Sequence, residues 1–226
     1  MTTDSHPGRR GGDWLSTERL LSLSDNVVAF ALTLLVLQVR VPPVSEVADP
    51  ASAADLAAQL AGQTGHLVSY VIAFYIIAQF WLTHRRVFRH VVGHRDGLAR
   101  WNFAFLATIT VMPFTSSLLG EYSANPLAVD IFAVNLLLAV LATRVMFEMG
   151  RRVGLMGGEI DAREVWALRV RAGATAVVVV VSIGLAWVNT AAAKYCWVLI
   201  PVVQWAAVRR SARSAAPTDP PGAPGR

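Results

Sequence analysis

The sequence predicts an all-α membrane protein with six transmembrane helices per subunit and both termini on the cytoplasmic side. Three observations carry that expectation. The 226-residue chain is 54% hydrophobic and 15% charged, where a soluble domain carries about 25% charge. Its apolar residues gather into runs of about twenty, the length that crosses a bilayer. Its basic residues fall in alternate gaps between those runs, as the positive-inside rule requires.

The first run covers residues 20–39, and two arginines (Arg9 and Arg10) stand well ahead of it. A twin-arginine export signal is not expected, because Gly-Gly-Asp follows the pair and the run itself carries Asp25. The run is expected to be retained as a helix. An outer loop over 41–64 follows, in which Asp49 or Ser52 caps a short helix at 53–61. The second and third runs, 65–84 and 101–120, form an antiparallel hairpin, and Pro113 kinks the third. The fourth, fifth and sixth runs are 127–147, 166–188 and 191–208, with a polar, Gly-rich link at 148–165. The sixth is the shortest, and Trp197 and Trp205 mark its interfaces. Three regions result: a cytoplasmic segment at 1–18, a transmembrane domain at 19–210, and a disordered cytoplasmic tail at 211–226 rich in Pro, Ala and Ser.

Eighteen of the twenty basic residues then fall on one side, and only Arg40 and Lys194 on the other. The net charge of +5 suggests a nucleic-acid partner only if it forms one patch, and here the arginines flank apolar runs instead. No nucleic-acid partner is expected; the partner is the lipid bilayer. A single cysteine, Cys196, cannot form an internal disulfide and sits in no metal-ligand pattern. No metal or cofactor is expected.

Asp25 is the most informative residue, since a carboxylate inside a span is expensive and asks for a partner. Two readings fit it. Ser24 or Asp25 is an N-cap, in which case the remaining helix is too short to span alone. Otherwise Asp25 is a paired carboxylate held by Arg19, His84 or the indole of Trp81. Trp81, His84 and Asn102 lie at the same depth as Asp25, because the second and third runs are antiparallel. They read either as an aromatic belt with a headgroup histidine or as a hydrogen-bonded cluster on Asp25. Asn135, deeper in the fourth run, reads as a helix–helix contact, and Asp130 as interfacial. Phe30, Thr33, Leu34 and Leu37 follow i, i+3, i+4, i+7 spacing and share one helix face. That stripe is packing in a single bundle, or a pore lining if several subunits present it to a common axis.

The chain has no Thr-Val-Gly-Tyr-Gly filter, no arginine ladder of a voltage sensor, and no Walker, His-Glu-x-x-His or Gly-x-Ser-x-Gly motif. No nucleophile and base are paired inside a span. An enzyme is not expected.

Arg19-x-x-x-Leu23-Ser24-Asp25 resembles the Arg-x-x-x-Phe-Ser-Asp signature of the transmembrane-protein-175 potassium channels, in their bacterial single-repeat branch. The apolar continuation to Arg40-Val-Pro, the Trp81-x-x-His84 pair with arginines after it, Asn102 and Pro113-Phe114 are similar too. The resemblance covers the first three runs; the last three match in number and position. It implies a homotetramer in the bacterial plasma membrane that passes potassium, the first helix of each subunit lining the pore. It places an apolar constriction at Phe30 and a hydroxyl layer one turn outward at Thr33, with Leu34 and Leu37 beyond. It also implies that Arg19, Ser24, Asp25, Trp81, His84 and Asn102 form a network holding the pore helix. Leu23 replaces the usual Phe, and Phe30 is aromatic where an aliphatic residue is more usual, which narrows the constriction. Two rival classes remain: a proton-coupled carrier that uses Asp25 and His84 as a relay, and a membrane scaffold that transports nothing.

Overall fold

Inside a bilayer a backbone amide finds no water, so an apolar run closes its hydrogen bonds on itself as a helix. The computed structural model describes residues 17–91, 96–155, 157 and 162–214, and those residues are almost wholly helical. The helices are α1 (Thr17–Val36), α2 (Ala53–Gly62), α3 (Thr64–Phe88), α4 (Asp96–Glu121), α5 (Pro126–Arg152), α6 (Ala162–Ala186), α7 (Thr190–Cys196) and α8 (Ile200–Ser214). Five of them, α1, α3, α4, α5 and α6, are long and apolar enough to cross a membrane.

The sixth apolar run departs from the single helix expected over 191–208. It is built of α7, a 3-10 turn at Trp197–Leu199, and α8. Pro201, which has no N–H to return to the carbonyl of Trp197, stands in the first turn of α8, where that loss costs least and a break is favoured. The break turns Trp197 inward: its ring is fully buried, packs tilted against Phe132 at 5.0 Å and donates its indole N–H to Ser182 Oγ at 2.9 Å. Asn189 caps α7 by accepting from the amide of Ala192. At the far end α8 runs through 211–214, so the first four residues expected to be unstructured tail are helical. Most of the expected N-terminal segment, the rest of the tail, and Arg9, Arg10, Arg95 and Arg226 lie outside the described residues.

Ser52, rather than Asp49, caps the short outer helix, accepting from the amide of Asp55 at 3.3 Å. The core sits where α4 and α5 pack together, with Phe105, Ile109, Met112, Phe132 and Leu136 buried between them. α1 and α3 lie on α4, and α6 lies on α5. Pro113 stands inside a continuous α4. Two amides hold that stretch from opposite neighbours: Gln38 donates to the carbonyl of Pro113 at 3.0 Å and Asn135 to that of Thr108 at 3.1 Å.

Ion pairs identify the two ends of the bundle. At one end Arg89 and His90 meet Glu164, and Arg169 meets Glu148, joining the last turns of α3 and α5 to the first turns of α6. At the other end His66 meets Glu121, Trp187 donates to Asp130, and Lys194 donates to the carbonyl of Ser123. The arginine-rich ends of α3, α5 and α6 thus come together.

Candidate pore helix and its anchoring cluster

α1 begins at Thr17, so Ser24 and Asp25 are interior residues rather than caps. Neighbours on a helix diverge by about 100°, and these two engage different partners. Ser24 is fully buried and turned toward α4. Asp25, whose side chain is 32% exposed, is turned toward α3.

The buried half of the cluster is neutral. The Ser24 hydroxyl donates to the carbonyl of Leu20 at 2.7 Å, and Asn102 Nδ2 donates to Ser24 Oγ at 3.0 Å. Asn102 Oδ1 lies 2.7 Å from His84 Nε2 and accepts from it, which assigns the imidazole the Nε2–H tautomer. The His84 ring lies between Phe88 and Phe105, at centroid distances of 4.4 and 4.8 Å. Both Asn102 and His84 are without solvent exposure.

The outer half is ionic. Asp25 Oδ1 accepts from the Trp81 indole at 2.8 Å and Oδ2 from Arg85 Nη1 at 3.1 Å. The Arg85 guanidinium also rests over the Trp81 ring, 5.4 Å from its centre. Trp81, His84 and Arg85 stand at i, i+3 and i+4, so one face of α3 meets Asn102 of α4 and Asp25 of α1 together.

Ser24, Asp25, Trp81, His84 and Asn102 therefore meet, but as two groups rather than one. Asp25 pairs with Trp81, while His84 pairs with Asn102. Among the described residues no hydrogen bond links Asp25 to His84, so the relay of the carrier reading has no direct path here. Arg19 lies exposed in the first turn of α1. Arg85 is the partner that sequence reasoning passed over. Its i+4 spacing from Trp81 was the available signal, and the other arginines around it masked it.

These bonds leave α1 with two unlike faces. Leu20, Ser24, Val28, Ala31, Leu35 and Gln38 are buried against α3 and α4. On the opposite face Phe30 is 65% exposed, with Asn26 and Thr33 exposed beside it, and Leu37 in the turn just after α1 is 71% exposed. Leu34 is half-buried and stands at the edge of that stripe. Asn26 was not among the expected residues, although it lies one turn before Phe30 on the same face. Thr33 donates its hydroxyl proton to the carbonyl of Phe30 at 2.8 Å, so its oxygen presents lone pairs away from the helix.

Residues 19–113, covering α1, α3 and most of α4, match the family model described as endosomal/lysosomal potassium channel TMEM175. The chain is 29% identical to a potassium channel of Chamaesiphon minutus over 67% of its length and 75% of that protein's. It is 27% identical to a potassium channel of Streptomyces collinus, over 76% of this chain and 82% of the other. The human endosomal/lysosomal proton channel TMEM175 is 32% identical over 58% of this chain, but the match covers only 26% of that longer protein. In fold, the chain is similar to the crystal structure of a lysosomal potassium-selective channel TMEM175 homolog from Chamaesiphon minutus. The TM-score is 0.64 at 24% identity, over 88% of this chain and 98% of the other.

Proposed function

We propose that this chain is a member of the TMEM175 channel family, whose model matches residues 19–113, and that it is one subunit of a potassium-permeable channel. Four copies assemble around an axis in the cell membrane, and residues 19–210 form the channel domain of each. Five long helices and the broken α7–α8 segment cross the bilayer, and the arginine-rich end of the bundle, with both termini, faces the cytoplasm.

The unpartnered face of α1 is the observation that carries this reading. A face turned to lipid gains nothing from polar groups, yet this one alternates Asn26 and Thr33 with Phe30 and Leu37. Four such faces around an axis stack a carboxamide ring, an aromatic constriction and a ring of threonine oxygens. Bulky apolar rings restrict passage by dewetting, and outward lone pairs substitute for water around a cation. The anchoring cluster holds α1 by its other side and leaves this face free. Potassium is assigned as the permeant ion because the relatives matched over most of their length carry that name.

Recording from purified protein in planar bilayers under a potassium gradient tests the proposal. A cation current that reverses near the potassium potential is expected, and Phe30→Ala raises unitary conductance severalfold by opening the constriction. Silence of both the wild type and Phe30→Ala ends the channel reading.

A further inference from the structure

A cleft partly open to the surroundings lies between α3, α5, α6 and α8, away from the exposed face of α1. Its walls are apolar where Ile76, Phe80, Val140 and Ile200 line it. The threonines that reach it are already occupied: Thr83, Thr143 and Thr175 donate to the carbonyls of Gln79, Ala139 and Arg171 in their own helices. Arg144, Arg169 and Arg171 line the end of the cleft that lies at the arginine-rich end of the bundle.

Among the described residues lining that end of the cleft, guanidinium groups stand without an equal number of carboxylates. Glu148 is held by Arg169 at 2.6 and 2.8 Å, and Arg144 and Arg151 stand 3.8 and 3.7 Å from it. One carboxylate therefore serves three guanidiniums. Among the described residues no carboxylate lies within ion-pair distance of the fourth, Arg171. A slot with apolar walls and surplus guanidinium at one end, between helices that cross a bilayer, has the shape and charge of an amphiphile with an anionic head. The same helix α6 exposes Val177, Val180 and Val181 beyond the cleft, so the neighbouring surface is apolar as well.

The geometry points to a binding site for an anionic phospholipid, its phosphate held by Arg144 and Arg171 and one acyl chain lying along Phe80 and Val140. Guanidinium forks match phosphate oxygens, and basic pockets between membrane helices select anionic headgroups. The site needs only that the chain is in a membrane, and it stands whether or not α1 lines a pore.

Native mass spectrometry of the detergent-purified full chain tests it, with phosphatidylglycerol and phosphatidylcholine of identical acyl chains titrated separately. Phosphatidylglycerol adducts are expected at about tenfold lower lipid concentration than phosphatidylcholine adducts, with that preference lost in the Arg144→Gln/Arg171→Gln double variant. Inorganic phosphate is not expected to displace the lipid. Ala172→Phe, which fills the cleft from α6 and keeps every arginine, is expected to lose the adduct too, so the test survives if the double variant does not fold. A phosphatidylglycerol with a photoreactive acyl chain should label 75–87, 140–147 and 168–175. Equal retention of the two lipids, retention unchanged in a folded Ala172→Phe variant, displacement by inorganic phosphate, or labelling confined to other helices each overturns the proposal.

Discussion

Ser24 and Asp25 are chain neighbours with opposite energetic roles. Ser24 belongs to a buried chain of hydrogen bonds in which no member has access to water. Asn102→Ala removes the acceptor of His84 and the donor to Ser24, and each buried polar group left unpaired costs about 1–3 kcal/mol. Asp25 is part-exposed, and its partner Arg85 is 48% exposed, so their pair sits in the range of about 0–1 kcal/mol. Asp25→Asn also keeps an oxygen for the Trp81 indole. Thermal unfolding in detergent is expected to show a much larger fall in midpoint for Asn102→Ala than for Asp25→Asn; the reverse order would contradict the division into a buried neutral half and an exposed ionic half. The residues of both halves were legible in the chain, because polar groups stand out inside apolar runs. Their pairing was not, because Trp81, His84 and Arg85 share one helix face, and only the azimuth of α3 decides which meets α1 and which meets α4.

At the scale of elements, α3 and α4 come close backbone to backbone at the end opposite the arginines. A Cβ on Gly65 would stand 2.8 Å from the carbonyl oxygen of Gly120, and one on Gly120 would stand 3.1 Å from His66 Cα. Small residues let membrane helices meet backbone to backbone, and here that contact is reinforced by Ser116 Oγ donating to the carbonyl of Ser69 at 3.2 Å. Gly65→Val meets backbone rather than a flexible side chain and is expected to destabilise by about 1–3 kcal/mol. Gly173, within α6, has open space where a Cβ would go, so Gly173→Ala is expected to be neutral or to stabilise by up to about 1 kcal/mol. Detergent melts of the two variants, side by side, check this, and equal effects would count against the close approach. The long helices were readable because hydropathy over twenty residues is a strong signal. The split of the sixth run was not, because averaging over apolar residues hides the effect of one proline on one hydrogen bond.

For the whole molecule, the prediction concerns assembly. If the Phe30 face meets an axis, detergent-solubilised protein has four times the 24.4 kDa mass of one chain. In a Cys196→Ser background, Leu37→Cys is then expected to crosslink between subunits. Leu35→Cys, buried against the chain's own helices, is expected not to. A monomeric mass, or equal crosslinking at both positions, would remove the axis. The sidedness of charge was visible in the chain, since the gaps between runs alternate between arginine-rich and arginine-poor. The contacts of Glu164 and Glu148 with arginines on other helices are consistent with it by bringing those ends together.

Composition and periodicity by themselves determined that this chain is helical, that its helices have membrane length, and that Ser24, Asp25, Trp81, His84 and Asn102 stand at one depth. These are properties of neighbours along the chain, fixed by rise per residue and hydropathy. Tertiary structure decided how each helix is rotated about its own axis. That rotation selects Phe30, Thr33 and Leu37, with Asn26 beside them, as the face α1 leaves open, gives Asp25 to Arg85, and opens the arginine-ended cleft beside α6. Rotation follows from how side chains of distant segments pack, and hydropathy along the chain is nearly indifferent to it.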